Sequence, residues 1–176
     1  MNFAIIIVVI NMRFKEIFRI CFKNIFVPKV LYHGTGTINA LSIKNQHAFL
    51  SSNKSKNANP LKTIDKDLIY FTPDIIEARK YSSVINAKNS LLDVCLFKVV
   101  LPMRRHKFKY LLEHKIIDVY TFRDELKFDS IHLKRVYILE INSQHVDYKL
   151  MQNLINKSDS SDLEKFLLKH KDWKLL

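Results

Sequence analysis

Apolar residues gather first in an unbroken run at 3–10 and then recur at helical spacing. Phe14, Ile17, Phe18, Cys21 and Ile25 fall on one helical face, with Arg13, Lys15, Arg19 and Lys23 on other faces. This pattern predicts a helix over 13–26, capped by Asn11 and closed before Pro28. The helix either packs its stripe on the core or lies as a basic amphipathic element on an anionic membrane. The run at 3–10 reads as a strand or an extension. It is too short to span a bilayer, and it lacks the leading charges and small-residue cleavage site of a secretory signal.

Beyond Pro28 the pattern alternates short apolar runs with helical ones. Val30-Leu31-Tyr32 predicts a strand entering a turn, His33-Gly34-Thr35-Gly36, and a short helix from about Thr37 carries Ile38, Leu41 and Ile43. Residues 51–67, rich in Ser, Asn and Lys, read as a long exposed loop. Leu68-Ile69-Tyr70-Phe71 is a second strand. Thr72 then caps a helix with Pro73 at its first position, running to about Ser82 with Ile75, Ala78 and Tyr81 turned inward.

A longer strand is expected over 91–101, stopped by Pro102, followed by a helix over 108–114, an extended piece over 116–122 and a last strand over 135–141. Helices over 148–156 and 162–170, the second capped by Ser160 or Ser161, close the chain. No repeat is visible. The order of elements predicts one α+β domain on a largely antiparallel sheet: an extension at 1–29, a core at 30–142, and C-terminal helices at 143–176 packed on the same body.

Charge changes this picture more than size does. Lys and Arg outnumber Asp and Glu by 29 to 17, a net charge of +12, which favours acidic partners such as nucleic acid, an acidic protein or an anionic membrane. Cations and aromatics interleave most densely over 103–110. Cys21 and Cys95 stand in apolar surroundings, as buried free thiols of a reducing, cytoplasmic setting do, and no metal site is expected. Both glycines of the 176-residue chain fall within Tyr32-His33-Gly34-Thr35-Gly36, where the backbone is expected to need φ > 0 or to lie against a ligand.

Three segments carry the candidate chemistry: Leu31-Tyr32-His33-Gly34-Thr35; Leu68-Ile69-Tyr70-Phe71-Thr72-Pro73 with the helix after it; and Asp124-Glu125-Leu126-Lys127-Phe128. In this order they resemble the ADP-ribosyltransferase superfamily, in its branch with a His-Tyr-Glu triad related to diphtheria toxin and the poly(ADP-ribose) polymerases. The resemblance covers about 30–141. It implies a split antiparallel β-sheet core with flanking helices, NAD as substrate, and transfer of ADP-ribose to a protein or nucleic acid, possession of host-directed toxin or effector activity being one setting for such enzymes.

In that family's pattern His33 bonds a ribose hydroxyl and the Gly34 backbone meets the nicotinamide amide. Tyr70 stacks on the nicotinamide ring, an ionised Glu125 is the catalytic carboxylate beside the ribose nearest the leaving group, and Thr35 and Tyr81 complete the NAD contacts. Arg79 or Lys80 are candidates for the pyrophosphate. Glu140 competes with Glu125 for the acid's role. Two departures stand out. Arg123 occupies the place where arginine-modifying members carry Gln or Glu, and Asn45-Gln46-His47 stands where a glycine often follows the helix. The same residues leave room for an RNA 2′-phosphotransferase-like enzyme or a non-catalytic NAD- or nucleic-acid-binding module.

Overall fold

The computed structural model describes residues 3–55, 65–86, 94–103, 107–111, 118–142, 144–157 and 160–176. Their order is α1 (Phe3–Ile25), β1 (Val30–Thr35), α2 (Thr37–Gln46), β2 (Ala48–Leu50), β3 (Leu68–Phe71), α3 (Ile75–Asn86), β4 (Val94–Val100), β5 (Lys109–Leu111), β6 (Val119–Arg123), β7 (Glu125–Lys127), β8 (Arg135–Ile141), α4 (Tyr148–Asn156), α5 (Ser160–Lys169) and β9 (Lys174–Leu175). The architecture is α+β, with antiparallel sheets and flanking helices.

Among the described residues the strands form a sheet β1-β4-β8-β9, a sheet β3-β6-β5 and a pair β2-β7, antiparallel throughout. The first two sheets meet where Tyr32 and Thr72 exchange backbone hydrogen bonds of 2.7 and 2.9 Å. Side chains of β4 alternate between two cores. Cys95, Phe97 and Val99 join Phe49, Phe71, Phe108 and Tyr120 on one face. Val94 and Leu96 join Ile75, Leu139, Met151, Leu163 and Leu167 on the other, beneath α3, α4 and α5. Covering on both faces explains why β4 is apolar at every position but Lys98.

Several expectations are corrected. The apolar run at 3–10 is the start of α1, so Asn11 lies inside the helix and does not cap it. α1 does not bury its stripe: Phe14, Ile17, Phe18, Phe22, Ile25 and Phe26 are all exposed, and so is Cys21, whereas Cys95 is buried as expected. Its other flank holds it to the domain. Lys23 and Arg19 pair with Asp118, Ile20 packs on the core, and Asn24 Oδ1 accepts the Tyr110 N–H at 2.9 Å. Burial pushes Asp118 upward, yet these two cations with Tyr110 hold its carboxyl below the ordinary value.

The predicted helix over 108–114 is strand β5 where it is described. Phe108 and Tyr110 are buried and Lys109 between them is exposed, a period of two that suits a pleated edge. β1 runs through Thr35, so His33 and Gly34 belong to a strand and not to a turn. Asp74, not Thr72, caps α3, its Oδ1 accepting the N–H groups of Ile76 and Glu77 at 2.8 and 3.2 Å. The expected strand over 91–93, the tip of the loop at 56–64, and residues 104–106 and 112–117 lie outside the described residues.

Candidate active site

His33 stands where the two larger sheets join. Its Nδ1 lies 2.8 Å from the Tyr70 carbonyl, an acceptor only, so Nδ1 carries the proton and Nε2 keeps its lone pair. Phe49, Phe71 and Phe97 surround the ring at centroid distances of 5.4, 5.5 and 6.4 Å. Burial in this aromatic nest lowers the imidazole pKa, and the bond to Tyr70 opposes that only in part. His33 is therefore a neutral imidazole with a defined tautomer, suited to accept a hydroxyl hydrogen at Nε2.

Tyr70 sits on β3 between the buried Ile69 and Phe71, so strand alternation turns its side chain to the other face, where it is half-buried. Its hydroxyl donates to the Asp65 carbonyl at 3.2 Å. Glu125 opens β7 opposite Leu50, one residue from the Leu126–Phe49 pair whose Phe49 ring meets His33. Its start is fixed by Asp124, whose φ of 64° makes the sharp bend out of β6. Asp124 donates its N–H to the Asp67 carbonyl and accepts the Ser51 N–H, both at 2.8 Å. Asp tolerates that conformation better than most residues. The His33 ring thus reaches the Tyr70 carbonyl while the Tyr70 ring points to the opposite face, and β2 links Glu125 to the His33 nest only through the neighbouring Phe49–Leu126 pair.

The glycines require a different explanation from the one the sequence suggested. Neither has positive φ. A Cβ on Gly34 would lie 1.7 Å from the Ala78 carbonyl oxygen and 3.2 Å from the Ser82 nitrogen, so its bareness lets α3 seat on β1. Gly36 precedes α2 as its N-cap, with φ −73° and ψ 160°. The left-handed turn after α2 falls on His47, at φ 51°, in the place where a glycine was missed.

α3 shows Ile75, Ala78, Arg79 and Ser82 on its buried face. Tyr81 lies off that face and is exposed, so it does not turn inward as expected. Lys80 is exposed and pairs with Glu77. Arg79, by contrast, is buried with Nε lacking a hydrogen-bond partner, and burial lowers its pKa. Thr35 is buried at the end of β1. Glu140 is engaged by Lys44, whose Nζ lies 2.9 and 3.1 Å from its two carboxylate oxygens.

One constellation escaped the sequence reading. His145 Nε2 lies 2.7 Å from Asp172 Oδ2, and His170 Nε2 lies 3.1 Å from Asp147 Oδ2, the second contact at ion-pair distance without hydrogen-bond alignment. Each aspartate N–H also donates to Nδ1 of the histidine two residues before it, at 3.3 Å. One ligand atom from each of His145, His170 and Asp172 falls within 4.8 Å of the others, but backbone N–H groups already donate to both Nδ1 atoms, which puts the ring proton at Nε2. The arrangement fits a polar clasp between the segment before α4 and the chain's last turn. The repeated His-x-Asp, at His145-Val146-Asp147 and His170-Lys171-Asp172, was the available signal.

Comparisons of the chain with family models, with curated proteins and with solved structures find no match.

Proposed function

We propose that this chain is an NAD-dependent mono-ADP-ribosyltransferase that moves ADP-ribose from NAD to a protein or nucleic acid and releases nicotinamide. The observation that carries the reading is the neutral His33, whose proton is held at Nδ1 by the Tyr70 carbonyl and whose Nε2 is left as an acceptor. A ribose hydroxyl is the partner such a nitrogen suits. Tyr70, on the adjoining strand, supplies an aromatic face for a flat ring.

In the reaction the bond between ribose C1′ and the nicotinamide nitrogen breaks, and its electron pair leaves with nicotinamide. Positive charge then develops on the ribose, where an ionised Glu125 stabilises it and takes the proton of the incoming nucleophile. A nucleophile atom of the target forms the new bond to C1′. Arg79 offers a cation for the pyrophosphate. Gly34 lends this reading no support, because α3 accounts for its missing side chain. The positive charge of the chain suits an acidic target.

The test is incubation with NAD labelled in the adenosine half, reading nicotinamide release and label on added protein or RNA. Wild type is expected to release nicotinamide, and Tyr70→Ala to raise KM for NAD about tenfold or more through lost stacking. NAD binding with no turnover would instead identify a non-catalytic module of the same architecture.

A further inference from the structure

We infer that the exposed stripe of α1 is a membrane-docking surface for an anionic bilayer. Phe14, Ile17, Phe18, Phe22, Ile25 and Phe26 are between 48% and 73% exposed, far from the isolated surface apolar residue that needs no explanation. The phenylalanines recur every four residues, and Phe22 and Phe26 touch at a centroid distance of 4.5 Å. The helix cannot roll to bury this stripe without breaking the contacts of Arg19 and Lys23 with Asp118 and of Asn24 with Tyr110. Its polar flank is committed to the domain, so the apolar one needs an outside partner.

Charge selects the partner. α1 carries Arg13, Lys15, Arg19 and Lys23 against one acid, Glu16; with Arg19 and Lys23 held by Asp118, exposed Lys15 is free to meet headgroups. Exposed Lys29 follows it, and exposed Lys107 and Lys109 lie on and beside β5, the strand whose Tyr110 bonds Asn24. A second copy would set one net charge of +12 against another, whereas anionic headgroups neutralise the cations while acyl chains take the phenylalanines. The 23-residue helix continues the apolar sequence through 3–10, and no helix among the described residues is long and apolar enough to cross a membrane. It therefore lies in the interface plane, with the domain above it. This inference is independent of NAD chemistry.

The full-length chain is floated with phosphatidylcholine vesicles with and without phosphatidylserine, and its mass is measured by light scattering. Flotation is expected only with phosphatidylserine, weakening as salt rises. The double variant Phe18→Asp/Phe22→Asp, at exposed positions where the fold is not at stake, should lower partitioning on the order of a hundredfold with an unchanged circular-dichroism spectrum. Lys15→Glu/Lys29→Glu should lower it about tenfold or more. A dye on Cys21, the exposed thiol, should shift to the blue on binding. The inference is overturned if wild type fails to float at low salt, or if the double aspartate variant floats equally well. A wild-type dimer that the same variant converts to monomer would overturn it too, by assigning the stripe to self-association.

Discussion

Replacing Gly34 by alanine adds one methyl group and should nonetheless unseat α3. That methyl would meet the Ala78 carbonyl oxygen at 1.7 Å and its carbon at 2.7 Å, both inside the 3.0 Å that real Cβ atoms respect. The obstructing atoms are backbone, so no rotamer change relieves them, and the helix must withdraw by more than an ångström. Ile75 and Ala78, each about 1% exposed, and Arg79 and Ser82 are drawn away from β1 with it. Overpacking of a tight core costs ~1–3 kcal/mol where side chains can give, and a rigid backbone places this case at the top of that range or above. A loss of ~3 kcal/mol lowers the melting temperature of a domain this size by about 6–12 °C.

Thermal melts followed by circular dichroism, with urea titration alongside, measure the effect. Ala78→Gly should give no rescue, because it leaves the carbonyl where it is. A Gly34→Ala protein melting within about 2 °C of wild type, or one restored by Ala78→Gly, would refute the packing account of this glycine.

The remaining predictions concern single groups. His33 binds a proton less readily in the fold than at its ordinary pKa of 6.5, so below that value the unfolded chain holds more protons and stability falls as pH falls, while above it the contribution is constant. His33→Gln should therefore lose less stability than wild type between about pH 7.5 and about pH 5 in urea titrations, and an identical pH slope would contradict the buried neutral imidazole. Lys44→Ala should cost only about 0.5 kcal/mol in denaturant, since its pair with Glu140 is partly exposed, and a loss above ~2 kcal/mol would mean that the pair does more than join α2 to β8. His170→Ala, whose side chain is 2% exposed, should cost ~2–3 kcal/mol and loosen hydrogen-exchange protection at both ends of the clasp; unaltered protection of residues 144–148 would contradict the crossed pairing.

What the sequence disclosed followed from how local each signal was. β8 and α4 match their predicted spans because alternation and helical spacing lie within each segment. β2 and β9 were missed, being three and two residues long and defined by distant partners such as Phe49 with Leu126, whereas the short extended segment expected to open at Glu125 is β7. Cations interleaving Phe108 and Tyr110 suggested nucleic-acid contact and a helix, while the same spacing serves a strand that buries both rings. α1 misled in a further way, since a helical stripe says which face is apolar but not what covers it.

The candidate site divides along the same line. His33 and Tyr70 were singled out by motif, and in the fold the His33 imidazole bonds the Tyr70 carbonyl. Gly34 was noticed for its missing Cβ, but its packing against α3 was not foreseen, because the sequence cannot show which way α3 crosses β1. Tyr81 was misjudged by helix phase alone: the buried face runs through Ile75, Ala78, Arg79 and Ser82, and places the arginine inside. The crossed histidine–aspartate clasp spans 27 residues between His145 and Asp172, a separation that only the folded chain brings to hydrogen-bond range.

The most direct test of the central claim is nicotinamide release from NAD by wild type and by Glu125→Gln under identical conditions. The proposed chemistry predicts turnover in wild type and a loss of about a hundredfold or more in kcat for the variant, with NAD affinity changed far less. Equal rates in the two proteins, or no release from wild type in the presence of mixed protein and nucleic-acid acceptors, would contradict it.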